Sequence, residues 1–204
     1  MKERYQIAVA KVVSLLCEPY YLPLLVYLVL LSFSYLKLLP MNYKLMLLGW
    51  LVLFTVVLPT GLLYLYKTLP SWPVKRTPKT TRFVAYIVFL VCYTMCLVMM
   101  MYSIMPQILQ RVMFAALVIQ MVCFVLTFFV RISVHSAAAG GLVGALVAFS
   151  AIFGFDPTGW LCVLLLFAGL VGTSRLVLRR HTLMEVNLGL AVGFAGSVWA
   201  ILAW

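Results

Sequence analysis

Long apolar runs separated by short polar breaks organise the chain from Tyr21 to Trp204. A membrane-crossing helix needs about 20 predominantly apolar residues, and the pattern predicts seven, over residues 21–39, 45–66, 83–105, 108–130, 137–154, 159–174 and 183–204. The breaks carry turn and helix-ending chemistry: Pro40 with Asn42; Pro70, Pro73 and Pro78; Pro106; the polar patch 131–136; Asp156-Pro157; and residues 175–182. Ahead of the first span, residues 5–17 read as a helix lying in the membrane interface. The predicted fold class is all-α, a polytopic membrane helical bundle of about seven transmembrane helices. Residues 1–204 form a single membrane domain, with 1–20 as the interfacial N-terminal segment and 21–204 as the bundle.

Composition agrees with this picture. Hydrophobic residues make up 66% of the chain and charged residues 9%, against roughly 25% charged in a soluble domain. A water-soluble enzyme, a disordered chain and a free nucleic-acid-binding domain are excluded. The net charge of +11 falls between the apolar runs, where it sets orientation and attracts anionic lipid headgroups; no nucleic-acid partner is expected. Lys2, Arg4, Lys11, Lys67, Lys75, Arg76, Lys79, Arg82, Arg131, Arg175, Arg179 and Arg180 share the side of the N-terminus, twelve against three (Lys37, Lys44 and Arg111). The positive-inside rule therefore puts the N-terminus in the cytoplasm and Trp204 outside.

Five cysteines, Cys17, Cys92, Cys96, Cys123 and Cys162, lie in or beside apolar runs without a CxxC pair. All five read as small core residues. Gly140 with Gly144, and Gly189 with Gly193, have the GxxxG spacing that lets helix backbones approach. The fifth and seventh spans are therefore expected deep in the bundle.

Polar chemistry is concentrated at a few positions. Both histidines, His135 and His181, and the carboxylate Glu185 sit at span ends on the basic side. The chain crosses twice between Arg82 and His135 and twice again between His135 and His181, so three polar loops reach the same face. Lys75, Arg82 and Arg175 supply fixed positive charge, and arginine forks match phosphate oxygens. Ser133 adds a neutral donor at a helix start. One histidine can attack phosphorus while the other protonates the leaving oxygen. Glu185, four residues after His181, would hold that imidazole in the tautomer that leaves its other nitrogen free. Thr182-x-x-Glu185 also reads as a capping box for the last helix. Arg179 and Arg180 read as positive-inside residues.

The spacings are specific. Lys75 is followed by six residues and Arg82; Ser133-Val134-His135 lies further on; then come Ser174-Arg175, five residues, His181, three residues and Glu185. This resembles the three-part signature KxxxxxxRP, PSGH and SRxxxxxHxxxD of the type 2 phosphatidic acid phosphatase superfamily. The runs RISVHSAAAGGLVGAL and AGLVGTSRLVLRRHT look like a small bacterial branch of it. Phe83 and Ile132 stand where the signature has proline, Val134 where it has glycine, and Glu185 where it has aspartate. The resemblance implies an integral-membrane lipid phosphatase of the bacterial inner (cytoplasmic) membrane, acting on a lipid phosphate or lipid diphosphate. It implies His181 as the nucleophile that forms a phosphohistidine, Glu185 as its orienting carboxylate and His135 as general acid. Lys75, Arg82, Ser133 and Arg175 would bind the phosphoryl oxygens, with no metal and no cofactor. The alternative expectation is a catalytically inactive phosphatase-fold protein that binds or carries an anionic lipid.

Overall fold

A computed structural model describes residues 10–11, 21–33, 38–68, 78–103 and 105–204. The protein is an all-α polytopic membrane protein. Its described elements, in chain order, are α1 (Tyr21–Phe33), α2 (Met41–Val52), a π-helical turn (Leu53–Val57), α3 (Leu58–Thr68), α4 (Pro78–Tyr102), α5 (Gln107–Leu126), α6 (Val134–Phe153), α7 (Thr158–Val177) and α8 (Leu183–Ala203). Six segments are long and apolar enough to cross a membrane: Met41–Tyr66, Phe83–Tyr102, Gln107–Leu126, Val134–Phe153, Thr158–Val177 and Leu183–Ala203. These correspond to the second to seventh predicted spans. The first is represented by the 13 residues of α1, with 34–37 outside the described residues. The interfacial helix predicted over 5–17 also lies outside them, apart from residues 10–11.

The chain divides into two compact units, Pro23–Met113 and one containing Phe114–Trp204. In the first, α2, the π turn and α3 run on as one continuous helical segment across Pro59. Proline has no N–H for the helix ladder, and hydrocarbon offers no water to replace the lost bond. The π turn just before it re-registers the ladder. Threonine side chains satisfy carbonyls there: Thr55 Oγ1 donates to Leu51 O at 2.8 Å and Thr60 Oγ1 to Val56 O at 2.5 Å. The buried Tyr27 hydroxyl donates to Leu109 O at 2.6 Å.

In the second unit α6 packs back to back with α8, and α7 lies against them. The two GxxxG pairs make this possible. A Cβ on Gly193 would collide with the Ala137 backbone and stand 2.8 Å from Gly141 N; one on Gly140 would collide with the Leu190 backbone. The fifth and seventh predicted spans are thus each other's partner, in contact through main chain. α6 is their most buried member, with Ala137, Ala139 and Ala148 almost fully enclosed. The C-terminal part of α5 closes this unit: Phe114 and Trp204 lie with ring centroids 4.5 Å apart.

One expectation is corrected. Cys92, Cys96 and Cys123 are buried, but Cys162 is exposed on α7. It shares that exposure with Trp160, Val163, Leu165 and Leu166, an apolar surface that meets acyl chains in a bilayer. Hydrophobicity alone does not separate core from lipid-facing positions in a membrane helix.

Candidate functional site

The site grows from three helix ends in the second unit. α6 begins at Val134 with Ser133 as N-cap. Ser133 is fully buried, and its hydroxyl accepts from Ser136 N–H at 3.4 Å and from the Ser136 hydroxyl at 2.9 Å. Both acceptor positions on Ser133 Oγ are thereby filled, and its own proton remains to be donated. His135 follows in the first turn, half-buried, and its ring makes no hydrogen bond among the described residues.

α7 ends on the same side. Arg175 sits in its last turn, only 2% exposed, where the helix dipole favours a cation. The neighbouring Ser174 hydroxyl is occupied by Val171 O at 2.7 Å. The chain then reverses in a Schellman turn. Arg180 N–H donates to Arg175 O at 3.2 Å and Arg179 N–H to Leu176 O at 2.9 Å. Such turns place a left-handed residue after the helix, usually glycine; here it is Arg179, at φ 50°. A left-handed L-residue costs roughly 1 kcal/mol. Arg179→Gly is therefore expected to stabilise the protein by about 0.5–1 kcal/mol, read as a raised midpoint of thermal unfolding in detergent.

That turn delivers His181 and Thr182 to the start of α8. Thr182 is the N-cap, and Glu185 completes a capping box: Glu185 N–H donates to Thr182 Oγ1, and Thr182 N–H to Glu185 Oε2, each at 3.4 Å. The same Oε2 takes the His181 Nδ1 proton at 2.7 Å. His181 therefore precedes the helix, and Glu185 reaches it by folding back over the cap. Glutamate at 185 suits this double duty, because a capping box needs the longer side chain. With Nδ1–H bound to the carboxylate, Nε2 keeps a free lone pair.

The three ends meet. Ser133 N–H donates to Glu185 O at 3.5 Å, and Ser133 O would lie 2.7 Å from a Cβ on Gly189. Five expected site residues, Ser133, His135, Arg175, His181 and Glu185, thus share one end of this unit. Arg82 falls in the first turns of α4, in the other unit; its side chain and the whole of Lys75 lie outside what the structure describes.

One participant went unassigned in the sequence: Ser136 fixes the Ser133 hydroxyl, a role foreshadowed only by its i+3 spacing from a capping serine. Around this end, Phe128, Phe129, Leu183 and Met184 are exposed apolar side chains, so the polar cluster borders hydrocarbon. Among the described residues no group of three His, Cys, Asp or Glu side chains comes together as a metal-ligand set.

The arrangement brings an imidazole paired with a carboxylate, a second imidazole, a buried guanidinium and a hydroxyl donor to one end of this unit. No family model matches this chain, and neither does any curated protein or solved structure in the comparisons.

Proposed function

We propose that the protein is an integral-membrane phosphatase that removes phosphate from a lipid phosphate or diphosphate through a phosphohistidine. The observation that carries this reading is the His181–Glu185 pair at 2.7 Å, at the same end of the unit as His135 and the buried Arg175. A carboxylate that fixes one ring nitrogen leaves the other as a nucleophile. Phosphoryl transfer then demands mainly positioning and positive charge, which Arg175 and the Ser133 hydroxyl supply. His135, in the first turn of α6 at the same end of the unit, is the proposed proton donor to the leaving oxygen. The spacing resemblance to the type 2 phosphatidic acid phosphatases supports the same roles, with Lys75 and Arg82 as further phosphate ligands.

Phosphate release by purified protein from a panel of lipid phosphates, with and without EDTA, tests the reading. Release that resists EDTA and disappears in His181→Ala is the expected result. Binding of these lipids without release from any of them would assign the anionic-lipid binder instead.

The proposed location is the bacterial inner membrane, with the site on the cytoplasmic face. Its basis is the excess of arginine and lysine on that side. In a background lacking the five native cysteines, Arg131→Cys is expected to be shielded from an impermeant maleimide in intact cells. Phe155→Cys, at the opposite end of α6, is expected to react. The reverse pattern would put the site outside.

A further inference from the structure

We propose that Ser136 is a positioning residue for the phosphoryl transfer, acting through the hydroxyl of Ser133; this rests on the phosphatase reading and adds a residue to it. Ser136 has an unusual partner. A serine or threonine inside a helix commonly bonds its hydroxyl to the carbonyl three or four residues back. Thr55, Thr94, Ser150, Thr173, Ser174 and Ser197 all do so. The Ser136 hydroxyl donates instead to a side chain, at 2.9 Å, and that side chain is Ser133, the N-cap of its own helix.

This choice determines what Ser133 has left to give. The Ser133 N–H donates to Glu185 O at 3.5 Å, and its C=O accepts from Ala137 N–H at 2.9 Å. Its Oγ accepts from the N–H and from the hydroxyl of Ser136. A hydroxyl carries one proton and two lone pairs. With both lone pairs taken, the proton has a single direction, and it meets no acceptor among the described residues. Both serines are fully buried, so protein contacts alone set this geometry. Buried donors are ordinarily paired, and a phosphoryl oxygen is the acceptor that the reading brings to this end of the unit.

The last helix holds the pair from the other side. A Cβ on Gly189 would lie 3.2 Å from Ser136 Cβ and 2.7 Å from Ser133 O. Gly189 stands one turn beyond Glu185, the partner of His181. The Ser133 donor and the His181 carboxylate are therefore both referred to the first turns of α8. A donor fixed before reaction stabilises developing charge without reorganising. Donation from Ser136 also strengthens the Ser133 O–H as a donor, because consecutive hydrogen bonds polarise one another.

The test is a double-mutant cycle on full-length protein in detergent micelles. Its probe is dodecyl phosphate or dodecyl diphosphate, whichever the wild type cleaves faster. Ser133→Ala is expected to lower kcat/KM by about 10²-fold or more, the loss of an oriented donor. Ser136→Ala is expected to lower it about 3- to 10-fold, the scale of one neutral hydrogen bond. Its unfolding midpoint should stay within about 3 °C of wild type. In the Ser133→Ala background, adding Ser136→Ala should cost less than about threefold, because a residue that acts only through Ser133 has nothing left to act on. A merely structural role would repeat its loss in both backgrounds. A single-mutant loss below about threefold, or a further loss above it in the double mutant, would overturn the assignment. Ser136→Cys, similar in size and a weak donor, runs the same cycle where the alanine variant fails to fold. Release from neither lipid would defeat the phosphatase reading itself. Calorimetric binding of dodecyl phosphate to the same four proteins would then decide on Ser136 by the same thresholds, and absence of binding to the wild type would overturn it.

Discussion

His181→Ala is expected to lower kcat for the proposed phosphate release by at least about 10⁴-fold, the scale on which nucleophile removal acts in covalent hydrolases. Its fold should survive, because His181 lies outside α8 and the cap is made by Thr182 and Glu185. Glu185 variants separate the two duties of that carboxylate. Glu185→Gln retains a side chain that can complete a capping box but loses the charge that faces His181 Nδ1. Activity should fall about 10²- to 10⁴-fold, by comparison with loss of the orienting carboxylate in serine hydrolases. Stability should change by less than about 0.5 kcal/mol. Glu185→Ala should lose activity and also roughly 1 kcal/mol of stability with the cap. Paired measurements of phosphate release and thermal unfolding in detergent check this. Activity in Glu185→Gln equal to wild type would remove the carboxylate from the mechanism.

Gly193→Leu is expected to abolish activity without touching any reacting group. A Cβ at this position collides with the Ala137 main chain and stands 2.8 Å from Gly141 N, and main chain cannot rotate away as a side chain can. Overpacking a tight contact costs about 1–3 kcal/mol, occasionally more. The relief available is separation of α6 from α8. That separation pulls Ser133 and His135 away from His181 and Glu185, which are joined by only one long bond, Ser133 N–H to Glu185 O at 3.5 Å. A displacement of about 1 Å is enough to cost around a hundredfold in rate. Gly169→Leu is the matched control: its Cβ meets nothing within 4 Å. It should unfold at the wild-type temperature and release phosphate at the wild-type rate. Equal behaviour of the two variants would show that the glycine contact does not hold the site together.

The order of the second to seventh spans was legible from apolar run length, and the parity of crossings put the starts of α6 and α8 at one end of their unit. Boundaries were less so. The fifth span was expected from 137 but begins at Val134, since Ser133 takes the cap and His135 joins the helix. The sixth was expected to stop at 174, where an arginine breaks the apolar run. It continues to Val177, because Arg175 is buried among neighbouring helices. Pro78 looked like a break and is instead the first residue of α4, a position where the missing N–H has no consequence. The π turn before Pro59 had no sequence signal beyond the proline itself. The Schellman turn was hidden because arginine occupies the position that glycine usually marks. Spacing predicted that His181 and Glu185 would pair, but the route of the pairing depended on which residue capped the helix.

The main-chain contact between α6 and α8 also bears on how a substrate gets in. Helices that meet through glycine leave no side chains to rearrange, so these two starts form a stiff wall of the site. α7 touches α8 less than it touches α6, and its outer surface is Trp160, Leu165, Leu166 and Leu170, which face acyl chains in a bilayer. Tilting of α7, on the microsecond-to-millisecond scale of helix motions, is therefore the expected lateral gate. Because Arg175 rides on its last turn, each opening would withdraw a cation from the reaction centre and each closure would restore it. Turnover is then expected to be paced by helix mobility, and a bilayer that stiffens around α7 should slow it without altering a single reacting group.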